Sequence, residues 1–176
     1  MDPSAGCLLV ASRDLADPNF MRSVIYLMEH DAQGTLGFIV NRPVDIILSD
    51  LWAECPTELG DIRIACEGGP VERQKGLLLH ACPELSGCQP MGQGIAIGGD
   101  LDALVDRFQN GADHRGPRLF LGHSGWAPDQ LDREIAEGSW IVRPGSSRIL
   151  LDNHPAETLW ESLMDEGLGL PEPSLN

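Results

Sequence analysis

The chain breaks into short apolar runs of the kind that make strands, and nearly every run is stopped by a glycine or proline turn. Of 176 residues, 20 are glycine and 13 proline. Runs of roughly 4–8 apolar or β-branched residues bounded by such turns argue for strands, because a strand needs few residues and Gly and Pro punctuate it. Cys7-Leu8-Leu9-Val10-Ala11-Ser12 is unbroken, as expected of a strand buried on both faces. Ser23 to His30 and Thr35 to Val40 flank Asp31-Ala32-Gln33-Gly34, which predicts a hairpin. Further strands are expected over Asp61–Glu67, Lys75–Cys82, Gly94–Gly98, Arg118–Gly122, Trp140–Val142 and Ile149–Leu151, with Gln89–Gln93 as loop.

Helical patterning comes late. Leu101, Leu104, Val105 and Phe108 follow Asp100 at i, i+3, i+4, i+7, and Gly111 closes that stretch. Pro128 fits the first position of a helix carrying Leu131 and Ile135, ended by Gly138. Pro155 opens a last helix with Leu159, Trp160, Leu163 and Met164, ended by Gly167, and a short helix is expected after Ser49. The total is about eight strands and about four helices without regular alternation, which favours α+β over a doubly wound parallel sheet. No linker or repeat divides the chain, so 1–176 reads as one domain with a short tail from about 168.

Composition narrows the partners. Asp and Glu number 27 against 12 Lys and Arg, a formal net charge of −15. Nucleic-acid binders take much of their affinity from clustered cations on phosphate, so direct nucleic-acid binding is not expected. Anionic membranes are disfavoured by the same repulsion, and no apolar run approaches a bilayer span. The N-terminal residues lack the basic and apolar regions of a signal peptide, and Cys7, Cys55, Cys66, Cys82 and Cys88 are widely spaced without C-x-x-C. An odd set of scattered cysteines reads as reduced thiols in the cytoplasm.

Motifs for chemistry are incomplete. Gly122-His123-Ser124-Gly125-Trp126 approaches a nucleophile elbow, but Gly125 falls one residue early, and a tight glycine turn presenting Trp126 is the expectation. Glu29-His30-Asp31 sets two carboxylates beside an imidazole, yet alternation on a strand sends them to the face opposite His30. His80 ends an apolar strand, where a hydrogen-bonded core histidine is the commoner outcome. Gly68-Gly69-Pro70 and Gly98-Gly99-Asp100 carry too few glycines for a phosphate or dinucleotide loop, and Asp100 reads as a helix cap. Histidines and cysteines show no close ligand pairing, so neither a metal nor a cofactor is expected.

Together these segments resemble the AlgH/YqgE family of small bacterial proteins, from Gly6 to about Gly167. The carriers are Leu8-Leu9-Val10-Ala11-Ser12, Asp17-Pro18-Asn19-Phe20, Arg22-Ser23-Val24, Glu29-His30-Asp31, Gly34-Thr35-Leu36-Gly37, Asn41-Arg42-Pro43, Gly68-Gly69-Pro70-Val71, Leu79-His80, Gly125-Trp126, Gln130-Leu131, Glu134-Ile135, Ser139-Trp140 and Leu159-Trp160. His123-Ser124 departs from the family's usual aromatic and small residues. The resemblance implies a bifurcated, barrel-like, mostly antiparallel sheet flanked by helices. It implies no catalytic residue. Some members carry the label transcriptional regulator, from an association with alginate production.

Two functional readings follow. One is a cytoplasmic binding or regulatory module without catalysis, touching a protein partner or a small molecule and reaching transcription indirectly. The other is a small-molecule-binding or hydrolytic enzyme. Its cleft would gather His30, Asn41, Arg42, His80, Gly125 and Trp126, polar or turn residues at strand ends where loops can form a pocket. The same residues serve equally as turn-formers and core fillers.

Overall fold

The computed structural model describes residues 1–45, 65–100, 102–104, 106, 117–151 and 156–166. The expected helix after Ser49, the closure at Gly111 and the tail from about 168 lie outside them.

Among the described residues nine strands form one sheet: β1 (Leu8–Ala11), β2 (Val24–Asp31), β3 (Gly34–Ile39), β4 (Ala65–Glu67), β5 (Val71–His80), β6 (Gln89–Gly92), β7 (Ile95–Ile97), β8 (Arg118–Trp126) and β9 (Trp140–Arg143). The helices named among the described residues are α1 (Gln130–Ala136), α2 (Ser147–Leu151) and α3 (Ala156–Glu166). Asp102–Leu104 are also helical, and Asp100 Oδ1 accepts the backbone N–H of Asp102 (3.1 Å) and Ala103 (3.3 Å), so Asp100 does cap that turn. Strand order is β6-β7-β5-β8-β3-β2-β1-β9, with β4 also on β8. All pairs are antiparallel except β4 with β8. The sheet curls into a half-barrel, as an α+β fold with a bifurcated sheet requires.

The bifurcation happens on β8. Its last residues pair with β3 (Thr35↔Trp126, Leu36↔Gly125, Gly37↔Ser124). Its first half pairs instead with β4 (Cys66↔Phe120) and, on the other side, with β5 (Leu77↔Phe120). Gly68 sits in the crotch, where its N–H reaches Leu121 O (2.8 Å) and its O receives Ile39 N–H (2.9 Å) and the Ser124 hydroxyl (3.1 Å). Backbones approach too closely there for side chains. A Cβ on Gly69 would lie 2.2 Å from His123 O, and one on Gly122 (φ +74°) 2.5 Å from Gly69 O.

Strands β1 and β2 are buried on both faces, as the unbroken apolar run predicts. Alternation sends Leu8, Val10, Val24, Tyr26 and Met28 to one core, closed by Leu150 of α2 and Trp160, Leu163 and Met164 of α3. Leu9, Ala11, Ile25 and Leu27 go to a second core, closed by Leu131 of α1 with Trp126 and Trp140. A third cluster of Ala65, Leu78, Leu85, Leu104 and Leu119 covers the other branch. Buried Arg118 ties three elements together, donating to Leu150 O (2.8 Å) and Val40 O (2.8 Å).

Three expectations are corrected. Ile149–Leu151 is helical, part of α2. A three-residue apolar run carries no period, and its fate is decided by Leu150 and Leu151 packing on the first core. Gln89–Gly92 is a strand, not a loop. Gln93 and Gly94 both take positive φ (57° and 76°), which closes a two-residue hairpin onto β7. Gly122–Trp126 is not a tight turn, because β8 runs through it and antiparallel pairing to β3 keeps it extended.

Gly122→Ala should cost about 3 kcal/mol or more, since both αL strain and a backbone clash oppose it. Gly138→Ala (φ +86°, with nothing within 4 Å of an added Cβ) should cost only about 1–2 kcal/mol, the αL strain alone. Urea unfolding followed by tryptophan fluorescence compares the two, and equal losses would show that the fork is not the tight point.

Tyr26 is the chain's one tyrosine and is fully buried, with no hydrogen-bond partner for its hydroxyl among the described residues. Burial, helped by Cys7, pushes its pKa up from 10.0 to about 12. A raised acid pKa means the folded chain favours the neutral phenol. Its contribution is complete below pH 10 and is lost as pH rises from there through about 12. Absorbance near ~295 nm, the tyrosinate band, should stay flat up to about pH 11 and then rise together with unfolding; a reversible transition near pH 10 in the folded chain would contradict this.

Candidate functional site

The polar residues that the sequence singles out separate into two ends of the sheet. His30 ends β2, and cross-strand register sets it beside Thr35 of β3, which in turn faces Trp126 of β8. His80 ends β5 one residue beyond Leu79, which pairs with Arg118 at the start of β8. Trp126 is the last residue of β8, so His80 and Trp126 stand roughly 25 Å apart along that strand at ~3.3 Å per residue. One cleft therefore does not hold His30, His80 and Trp126.

His80 is buried at 0% exposure with both ring nitrogens engaged. Nε2 lies 2.6 Å from Gly98 O, and Nδ1 accepts the Cys82 N–H at 3.1 Å. That pattern suits the tautomer that donates through Nε2. Asn41 is buried as well. Its Oδ1 accepts Val24 N–H (2.9 Å) and its Nδ2 donates to Arg22 O (2.9 Å), so the amide prolongs the β2–β3 ladder as a peptide group would. Arg42 donates to the carbonyls of Asn19 and of Met21 (3.1 Å) and pins the 17–22 turn. Desolvation chiefly pulls its pKa down, opposed by Glu67 and other neighbours. Arg73 reinforces the turn from β5, with Nη2 on Asn19 Oδ1 (2.9 Å) and near Glu67 (3.7 Å).

At the other end α1 lies over the sheet and supplies partners that sequence reasoning missed. Gln130 starts the helix and its Oε1 accepts Ala127 N–H (2.9 Å). Gly138 ends it in a Schellman turn, donating to Ile135 O (3.0 Å) while Ser139 donates to Glu134 O (2.9 Å). Between these ends, Glu134 Oε1 accepts the indole N–H of both Trp126 (3.2 Å) and Trp140 (2.9 Å), and Oε2 accepts Gln130 Nε2 (2.8 Å). Phe20 stacks on Trp126 (6.1 Å, 26°) and meets Trp140 edge-on (5.6 Å, 76°), and the two indoles cross at 80°. Beside them His30 Nδ1 stands 2.7 Å from Thr35 Oγ1, and Nε2 stands 3.9 Å from Asp132 Oδ1. Only the i, i+4 spacing of Gln130 and Glu134 signals any of this in the sequence, since it puts amide and carboxylate on one helix face.

An open recess of about 260 Å³ adjoins this network, lined by Glu29, Asp31, Gln33, Leu36 and Trp126 among others. Register places Glu29 and Leu36 on the sheet face opposite His30, Thr35 and Trp126, and the recess, which Thr35 also borders, takes in residues of both sets but not His30. Of the six expected cleft residues, only Trp126 lines it. Gly125 is exposed. Ser124 is fully buried in mid-strand with its hydroxyl on Gly68 O, which leaves it no nucleophile's approach. Among the described residues no group of three or more His, Cys, Asp or Glu is placed to hold a metal, and no helix is long and apolar enough to cross a membrane.

A family model described as AlgH-like matches residues 8–170. A UPF0301 protein of Bacteroides fragilis is 33% identical over 163 residues, covering 92% of this chain and 82% of that one. Another from Anaeromyxobacter is 37% identical, covering 88% and 83%. The solution structure of the AlgH protein from Pseudomonas aeruginosa superposes with a TM-score of 0.66 at 30% identity, over 97% of this chain and 94% of that one. A crystal structure from Corynebacterium diphtheriae superposes with a TM-score of 0.71 at 24% identity, over 98% and 90%, and speaks for the fold alone.

Glu134→Ala leaves two indole N–H groups without their acceptor and should cost about 2–4 kcal/mol, whereas Glu134→Gln keeps a carbonyl oxygen and should cost about 1 kcal/mol. Equilibrium unfolding and the tryptophan emission maximum read both. Small, equal effects would mean that the carboxylate does not organise this end of the sheet.

Proposed function

The chain belongs to the AlgH-like family, and on that premise we propose that it is a binding module without catalytic chemistry, whose influence on transcription, if it has one, passes through a protein partner. The observation that carries this reading is the engagement of its polar strand-end residues in holding the fold. Both nitrogens of His80, both ends of the Asn41 amide, and the indole N–H of Trp126 have internal partners, and Arg42 is bound to two backbone carbonyls. A catalytic group needs a free face toward substrate. The charge of −15 supports the indirect route, because it works against a phosphate backbone. Cytoplasmic residence belongs to the same proposal. Cys7, Cys66, Cys82 and Cys88 are free thiols, as a reducing compartment would keep them.

A hydrolytic reading rests on one observation, the alignment of Thr35 hydroxyl, His30 imidazole and Asp132 carboxylate. It is the weaker reading, because Thr35, although it borders the recess, is only 8% exposed, His30 does not line the recess, and His30 Nε2 stands 3.9 Å from Asp132 Oδ1, beyond hydrogen-bond distance.

One experiment with two arms separates them. Titration of labelled duplex DNA at low salt, read by fluorescence polarisation, should give no saturable binding; tight, salt-sensitive binding would refute the indirect route. Generic ester and phosphoester substrates should turn over no faster with the protein than in buffer. Turnover that His30→Ala abolishes in a folded chain would establish the enzyme instead.

A further inference from the structure

We propose that Cys82 and Cys88, on the loop joining β5 to β6, form a reversible dithiol–disulfide site oxidised by peroxide. Among the described residues the free thiols fall into two kinds. Cys7 and Cys66 are sealed in the cores at 5% and 0% exposure. Cys66 donates to Ile39 O (3.2 Å), and burial pushes its pKa up, away from the reactive thiolate. Cys82 and Cys88 are only half-buried, in a loop whose Pro83, Glu84, Ser86 and Gly87 are exposed.

The loop folds the two together. Leu85 N–H closes one turn on Cys82 O (3.0 Å), and Cys88 N–H closes the next on Leu85 O (3.3 Å). The Cys88 thiol consequently points back along the chain, donating to Pro83 O (3.3 Å) with Cys82 O at 3.9 Å. Leu85, between them, is anchored in the third core, and Asp100 N–H holds Ser86 O (2.8 Å). A disulfide asks for Cβ atoms about 3.5–4.5 Å apart. The Cys88 thiol already stands 3.9 Å from the backbone oxygen of Cys82, and the oxidised loop would reach that spacing by side-chain rotation and closure of its exposed turns.

The chemistry balances with hydrogen peroxide as the two-electron oxidant. One thiolate sulfur attacks a peroxide oxygen, the S–O bond forms as the O–O bond breaks, and the departing hydroxide takes a proton and leaves as water. The second sulfur then attacks the sulfenic sulfur, the S–S bond forms as the S–O bond breaks, and the second water carries off the remaining thiol proton. Two thiols are oxidised and one peroxide is reduced. The consequence falls on the neighbouring turn. Cys88 packs so closely on Gly99 that a Cβ there would lie 2.9 Å from the Cys88 Cβ, and Gly99 immediately precedes the helix cap Asp100. His80, at the other side of the loop, holds both Cys82 N–H and Gly98 O. Oxidation would thus lock the loop against the 98–100 turn.

The test treats the full-length folded chain with stoichiometric hydrogen peroxide and follows free thiols and peptide mass maps. The expected product is an intramolecular 82–88 disulfide formed about tenfold faster than Cys7 or Cys66 reacts, and reversed by dithiothreitol. Cys88→Ser and Cys82→Ser should each stop at a sulfenic acid that dimedone traps, with circular dichroism confirming that both variants fold. Hydrogen exchange at 98–104 should slow in the oxidised wild type only. Oxidation first at other thiols, no 82–88 link in the folded wild type, or a link that forms only in urea would each overturn the proposal.

Discussion

Close backbone contact at the fork of the sheet sets the architecture. Strand β8 has two sets of neighbours, and the switch between them happens where Gly68 and Gly69 meet Gly122 and His123. Side chains in that crotch would push the branches apart. Without the contact, β3 and β4 would not both reach β8, and the chain would lose the sheet surface that its cores cover. The Ser124 hydroxyl and the Ile39 N–H both end on Gly68 O, so the fork is also hydrogen-bonded from each branch.

The fork divides the apolar material. Central strands β1 and β2 hold a core on each face, so helices must cover both: α2 and α3 on one side, α1 on the other. Arg118 fits the same logic. It sits at the start of β8, fully buried, and its guanidinium bonds the backbones of β3's continuation and of α2 while lying over the Phe120 ring. Backbone carbonyls there gain a charged donor, and α2 is fixed in place by something stronger than apolar contact alone.

The end of the sheet under α1 carries the densest polar organisation among the described residues. Glu134 joins two indoles and an amide, and Phe20 closes the aromatic cluster. This makes the 17–22 turn, held from below by Arg42 and Arg73, continuous with the helix that caps the second core. The thiol pair on the loop between β5 and β6 belongs to the other branch, so a redox event there would leave this end untouched.

Local sequence settled the parts of this protein whose chemistry is local. Unbroken Leu8–Ala11 determined a strand buried on both faces, Asp31–Gly34 a hairpin, Asp100 a cap and Gly138 a helix end, because burial periodicity and backbone dihedral preference act over a few residues. The short, low-period pieces were not legible. Ile149–Leu151 became helix because packing partners distant in sequence decided it, and Gln89–Gly92 became strand because the positive φ of Gln93 and Gly94 folds it back onto β7. The same holds for the site. Residue types at positions 30, 41, 42, 80 and 126 suggested polar work at strand ends, and register then set His80, the last residue of β5, beside the start of β8 while Trp126 ends β8. Only tertiary structure could bring Glu134 to Trp126 and Trp140, or Asp132 to His30, since each is a contact between a helix and strands whose relative placement no local pattern encodes.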